Sequence, residues 1–101
     1  MSDSVIGPQS VIDYSILDKE VIVEAGCHIG CGDNFQINRR EPSVANVGIT
    51  IVGKRSKIPH GVKIGRNCII YPGVVEDDFS SSEIRSGETI RPKRRGSVPR
   101  A

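Results

Sequence analysis

The stretch TIVGKRSKIPHGVKIGRNCII, residues 50–70, decides the fold. Val52, Ile58, Ile64 and Ile70 recur in it at steps of six. Two positions before each lies a small or modest side chain: Thr50, Ser56, Val62 and Cys68. Glycine follows directly at Gly53 and Gly65, and Gly61, Asn67 and Gly73 stand three residues after an aliphatic. A helical period of 3.6 does not produce this pattern. A short flat strand followed by a corner does. Three such hexads close a triangular coil of roughly eighteen residues, and coils stack about 4.8 Å apart, the ordinary interstrand spacing. The aliphatic points inward onto its equivalents above and below. The residue two before it also points inward, because strand side chains alternate, and it sits near a corner where only a small group fits. Gly or Asn three after the aliphatic accepts the positive φ of a tight corner.

The register extends in both directions. Upstream, Ile6, Ile12, Leu17, Val23 and Ile29 follow at steps of 6, 5, 6 and 6. Ser4, Ser10, Ser15, Val21 and Cys27 occupy the small position, with Gly7, Gly26 and Gly30 at the corners. Downstream the pattern weakens. Val75 opens a further side after a five-residue step, and Ile84 and Ile90 are again six apart. This gives about twelve sides, or about four coils. The expected fold is all-β: a single-stranded left-handed β-helix of hexapeptide repeats over residues 1–90. Only 4 % of the chain is aromatic and Trp is absent, so the core must come from Ile and Val, which favour strands.

Between Ile29 and Val52 the step is 23. The excess is an insertion of about seventeen residues, CGDNFQINRREPSVANV at 31–47, expected to leave the prism at a corner as a protruding loop. Long loops on such scaffolds are either functional or disordered. Residues 91–101 hold Arg91, Lys93, Arg94, Arg95 and Arg100 and no acid, which reads as a basic flexible tail. Without those five charges the net +2 becomes about −3, so the body carries no nucleic-acid footprint. No signal peptide and no apolar run of membrane length is present. With three cysteines, the expected compartment is the reducing cytoplasm. Cys27 and Cys68 take the small inward position and should be buried and inert, whereas Cys31 opens the insertion and should be accessible. Cys27 and Cys31 lack a second ligand pair, so no metal site is expected.

His28 lies at an outward position and His60 in the corner Pro59-His60-Gly61. There is no Gly-rich phosphate loop, nucleophile elbow or paired-carboxylate motif, so neither catalytic residues nor a cofactor are expected. Lys54, Arg55, Lys57, Lys63 and Arg66 lie on successive sides. Arg39, Arg40, Lys54, Arg55, Lys57 and Arg66 are candidates for holding a phosphate-bearing effector. The alternative is ordinary solubilising charge.

SVIGPQSVIDYSILDKEVIVEAGCHIG, the insertion, and VGITIVGKRSKIPHGVKIGRNCIIYPGV together resemble the C-terminal β-helix of bacterial glucose-1-phosphate adenylyltransferases and related sugar-phosphate nucleotidyltransferases. SSEIRSGETI resembles their closing segment, so the likeness covers residues 2 to about 90. The hexads alone are shared with acyltransferases; the insertion with GITIVGK and IPHGVKIGRN is more specific. The resemblance implies a domain that packs on an N-terminal catalytic α/β domain, builds a homo-oligomer and helps to form an effector site for a sugar phosphate or phosphate. It implies no catalytic residue here, because the catalytic motifs of that family lie in the N-terminal domain. The chain reads as a C-terminal fragment, a split gene product or a truncated form. Two rival readings remain: a stand-alone hexapeptide acyltransferase with His60 as base, and a non-enzymatic scaffold. Neither nucleic acid nor membrane is an expected partner.

Overall fold

A computed structural model describes residues 4–93. Its strands are two or three residues long and pair only in parallel, in three sheets. Sheet A contains β1 (Val5–Ile6), β4 (Ile22–Val23) and β7 (Lys57–Ile58). Sheet B contains β2 (Val11–Ile12), β5 (His28–Ile29), β8 (Lys63–Ile64) and β10 (Glu83–Ile84). Sheet C contains β3 (Ser15–Leu17), β6 (Thr50–Val52), β9 (Ile69–Ile70) and β11 (Thr89–Ile90). From β1 to β9 successive strands visit A, B and C in turn, β10 and β11 follow on B and C, and each strand pairs with the strand one coil away. The fold is the left-handed β-helix of the hexapeptide pattern.

The register sets the core. Ile12, Ile29, Ile64 and Ile84 stack on sheet B, and Leu17, Val52, Ile70 and Ile90 on sheet C. Ile29, Val52, Ile58 and Ile64 are fully buried. Each such side chain contributes about 1.5–3 kcal/mol on leaving water. The small position does more than fit. Thr50 Oγ1 donates to Gly65 O (2.6 Å) and accepts from Cys68 N (3.2 Å). Ser10 does the same between Glu24 O (2.7 Å) and Cys27 N (3.1 Å). These hydroxyls bond backbone groups near the corners, where strand pairing stops. The thiols substitute for them: Cys27 Sγ donates to Pro59 O (3.0 Å) and Cys68 Sγ to Arg85 O (3.1 Å).

The corners repeat one conformation. Positive φ occurs three residues after the inward aliphatic at Gln9, Glu20, Gly26, Gly32, Arg55, Gly61, Asn67, Gly73 and Gly87. Tyr14 takes it two residues after Ile12, which accounts for the five-residue step on that side. At Gly30 a Cβ would lie 1.9 Å from Asp13 O, so only glycine fits that close approach.

The two ends of the prism differ. Ile6, the inward side chain of β1, is 42 % exposed because no coil covers it among the described residues, whereas Val5 and Val11, 57 % and 46 % exposed, point outward from the sides of the prism. At the other end the fourth coil lacks its sheet A strand. Val75 does not open a regular side there. Val74 is the buried residue, and the chain turns into a 3-10 helix, Glu76–Asp78. Asp78 Oδ2 accepts from Val75 N (2.9 Å) and Oδ1 from Lys93 N (2.8 Å), and Phe79 packs on the core. A local side-chain acceptor thus replaces the strand ladder at this end. The tail expected at 91–101 lies outside the described residues from 94 onward.

Candidate functional site

The insertion does not protrude freely. It folds back over the corner between sheets B and C, because its own polar groups find partners there. Asn38, 1 % exposed, donates through Nδ2 to Asn67 O (3.1 Å) and Glu88 O (3.2 Å). Its Oδ1 accepts from Arg40 N (3.0 Å), Glu41 N (2.8 Å) and Thr89 Oγ1 (3.2 Å). Asn67 reciprocates: Oδ1 accepts from Gly48 N (2.7 Å) and Nδ2 donates to Phe35 O (3.2 Å). The Tyr71 hydroxyl bonds the Glu41 carboxylate, which pushes the phenol above its ordinary pKa.

Arg66 closes the neck of the insertion. Its Nε donates to Gly48 O and its Nη1 to Gly32 O, both at 2.8 Å, so one side chain ties the beginning of the segment to its end. The guanidinium lies 3.9 Å from the Tyr14 ring centre and 4.3 Å from that of Phe35. With 8 % exposure it is sequestered in packing. The sequence grouped it with the other basic residues on successive sides because a corner position gives no sign of which way a long side chain turns.

The other basic candidates separate into two groups. Arg39 belongs to the insertion, with Nη1 on Ser86 O (3.4 Å) and near Glu88 Oε2 (3.9 Å); Arg40 is its exposed neighbour. Lys54, Arg55 and Lys57 lie at the corner between sheets C and A and on sheet A itself. Arg55 Nε bonds Glu20 Oε1 (2.9 Å), which lowers the Glu20 pKa and raises that of Arg55. Lys57 Nζ is 3.6 Å from Glu24 Oε2. Paired exposed charges of this kind are worth little to stability, and the six candidates do not converge on one point.

His60 lines a cavity of about 280 Å³ with Phe79, Glu76 and Ser80 among its walls. Its backbone N donates to Glu24 Oε1 (3.2 Å). His28, on the outer face of sheet B, pairs with Asp13 (Nε2 to Oδ2, 2.8 Å). This pair was not legible in the sequence, because fifteen residues separate its members and only coil stacking joins them. Among the described residues there is no group of three metal-ligating side chains, and no helix is long and apolar enough to cross a membrane.

Residues 49–75 match the family described as "Bacterial transferase hexapeptide (six repeats)". The glucose-1-phosphate adenylyltransferase of Thermomicrobium roseum is 49 % identical over 92 residues, which is 91 % of this chain and 22 % of that protein. That of Acetivibrio thermocellus is 37 % identical over 90 residues, 89 % of this chain and 21 % of that protein. That of Pseudothermotoga lettingae is 39 % identical over 72 residues, 71 % of this chain and 17 % of that protein. The chain thus spans about a fifth of the length of the curated relatives it matches. No solved structure matches it. With its hexapeptide pattern and three parallel sheets, the chain is a left-handed β-helix similar, over nearly its whole length, to the C-terminal region of glucose-1-phosphate adenylyltransferases.

Proposed function

We propose that the chain is the non-catalytic β-helical domain of a glucose-1-phosphate adenylyltransferase-like sugar nucleotidyltransferase, acting in the cytoplasm. Its role is to support an N-terminal catalytic α/β domain, to build a homo-oligomer and to contribute to an effector site. The observation that carries this reading is the asymmetry of the prism. Phe79 packs on the core toward the C-terminal end, whereas Ile6, an inward side chain of the first coil, is 42 % exposed. Exposed apolar surface next to open strand edges is a docking surface. The similarity to the C-terminal region of the relatives gives the partner its class. Arg39, Arg40, Lys54, Arg55 and Lys57 remain the candidates for a phosphate-bearing effector. Arg66 serves this role only indirectly, by holding the insertion that carries Arg39 and Arg40.

The test uses the chain together with the separately produced N-terminal catalytic portion of the Thermomicrobium roseum enzyme. The expected result is a complex on size exclusion, abolished by Ile6→Asp. Without the catalytic portion, the chain should self-associate through the same end. A strictly monomeric chain that binds no catalytic portion would overturn the reading. The acyltransferase alternative rests on the cavity beside His60 and has its own assay: turnover of acetyl-CoA with an amine acceptor that vanishes in His60→Ala.

A further inference from the structure

A cavity of about 240 Å³ lies between the beginning of the insertion and the outer face of sheet B, outside both groups of basic candidates. Gly65, Ile84 and Ser86 line it from the prism, and Cys31, Asp33 and Asn34 from the insertion. Lys63, Glu83 and Arg85 complete it. Three features point to a ligand. First, Lys63 and Arg85 take part in no ion pair among the described residues, in contrast to Arg39, Arg55 and Lys57. Second, Ser86 is 5 % exposed, and its Oγ accepts from Arg66 N (2.8 Å). Among the described residues its hydroxyl donates to no protein acceptor, so it can donate to a molecule in the cavity it lines. Third, the same small space holds two carboxylates, Asp33 and Glu83. Glu83 stands directly opposite Lys63 in the strand register.

These groups discriminate by charge. A simple anion meets Asp33 and Glu83, a simple cation meets Lys63 and Arg85, and either leaves one pair of charges opposed. A molecule with both signs satisfies all four. The volume suits a molecule of roughly ten heavy atoms and not a nucleotide. We propose that this cavity is a binding site for a small zwitterion of the free α-amino-acid class. Its carboxylate is held by Ser86 Oγ–H, Lys63 and Arg85, and its ammonium group by Glu83 and Asp33. The inference is independent of the proposed domain function, since it requires neither a catalytic domain nor an oligomer.

Cys31 supplies the readout. It lines the cavity, is half-buried, and its Sγ donates to Ile64 O at 3.4 Å, whereas Cys27 and Cys68 are buried in the core. Alkylation of the native chain should modify Cys31 first. L-Serine, L-glutamate and L-arginine at about 10 mM, a concentration suited to weak ligands of this size, are compared with acetate and ethylamine. The expected result is that at least one amino acid slows Cys31 alkylation several-fold while acetate and ethylamine do not. In Lys63→Gln/Arg85→Gln and in Glu83→Gln, all exposed positions whose folding a melting curve checks, the protection should disappear. The proposal is overturned if no amino acid protects the native chain, if acetate protects equally, or if protection survives in the folded variants.

Discussion

Replacing Arg66 with methionine removes the guanidinium and keeps most of the apolar stem. Two charge-assisted hydrogen bonds are lost, to Gly32 O and Gly48 O, each at 2.8 Å. Bonds to a charged group contribute about 1.5–3 kcal/mol each. The contacts with Tyr14 and Phe35 add about 0.5–2 kcal/mol each. Against this, the variant no longer has to keep a charge 8 % exposed, and that desolvation cost is returned. Because the lost contacts share one head group they do not add fully, and the expected destabilisation is about 3–4 kcal/mol. For a domain of this size that lowers the melting temperature by about 12 °C or more. Thermal denaturation followed by circular dichroism measures it. Hydrogen exchange at the Gly48 amide, which bonds Asn67 Oδ1 at 2.7 Å, reports whether the neck opens. Arg40→Met and Lys54→Met, at exposed positions, should change stability by less than about 0.5 kcal/mol. If Arg66→Met melts within about 1 kcal/mol of the native chain, or leaves Gly48 protected, Arg66 does not lock the insertion.

Ile64, fully buried and stacked between Ile29 and Ile84, should cost about 2–5 kcal/mol as Ile64→Ala, whereas Ile37→Ala, at a side chain 45 % exposed, should cost under about 1 kcal/mol. Equal losses in a denaturant titration would contradict the division into core and insertion. Stability should also fall in alkali. Burial pushes the Cys68 thiol up, and Glu41 does the same to the Tyr71 phenol, so both groups bind protons more tightly folded than unfolded. Their contribution is complete below the unfolded pKa values, about 8.5 for a thiol, and is lost as pH rises through the folded ones. Melting curves from pH 7 to about 10.5 should show this decline, and Cys68→Ala should make it shallower. An unchanged slope in that variant would remove Cys68 as a cause.

The candidate site was legible only in part. Lys54, Arg55 and Lys57 lie outside the core as expected, because the hexad fixes which residues point inward. The partners that neutralise two of them, Glu20 and Glu24, sit one coil away, and no local pattern connects residues 33 or 35 apart. Asn38 gave no signal at all. It is an ordinary loop asparagine in the sequence and a buried hub in the structure, because two other segments, at Asn67 and at Glu88-Thr89, converge on it.

The sequence by itself determined the inward ladder and the fold. Val52, Ile58, Ile64 and Ile70 alternate with small side chains at a period that only a triangular coil reproduces, and stacking identical coils repeats the same burial at every step. It also marked corners at Gly26, Gly61, Asn67 and Gly73, where Gly or Asn relieves positive φ. Gln9, Tyr14, Glu20 and Arg55 adopt that conformation without any such mark. Closure of the coil imposes it on whatever residue occupies the place, at about 1–2 kcal/mol each, and the packing of neighbouring coils outweighs that local cost. Whether the insertion stood away or folded down was decided only by tertiary structure. Its partners Arg66, Asn67 and Glu88 belong to later coils, and hydrogen bonds between segments so distant in sequence exist only after the coils have stacked.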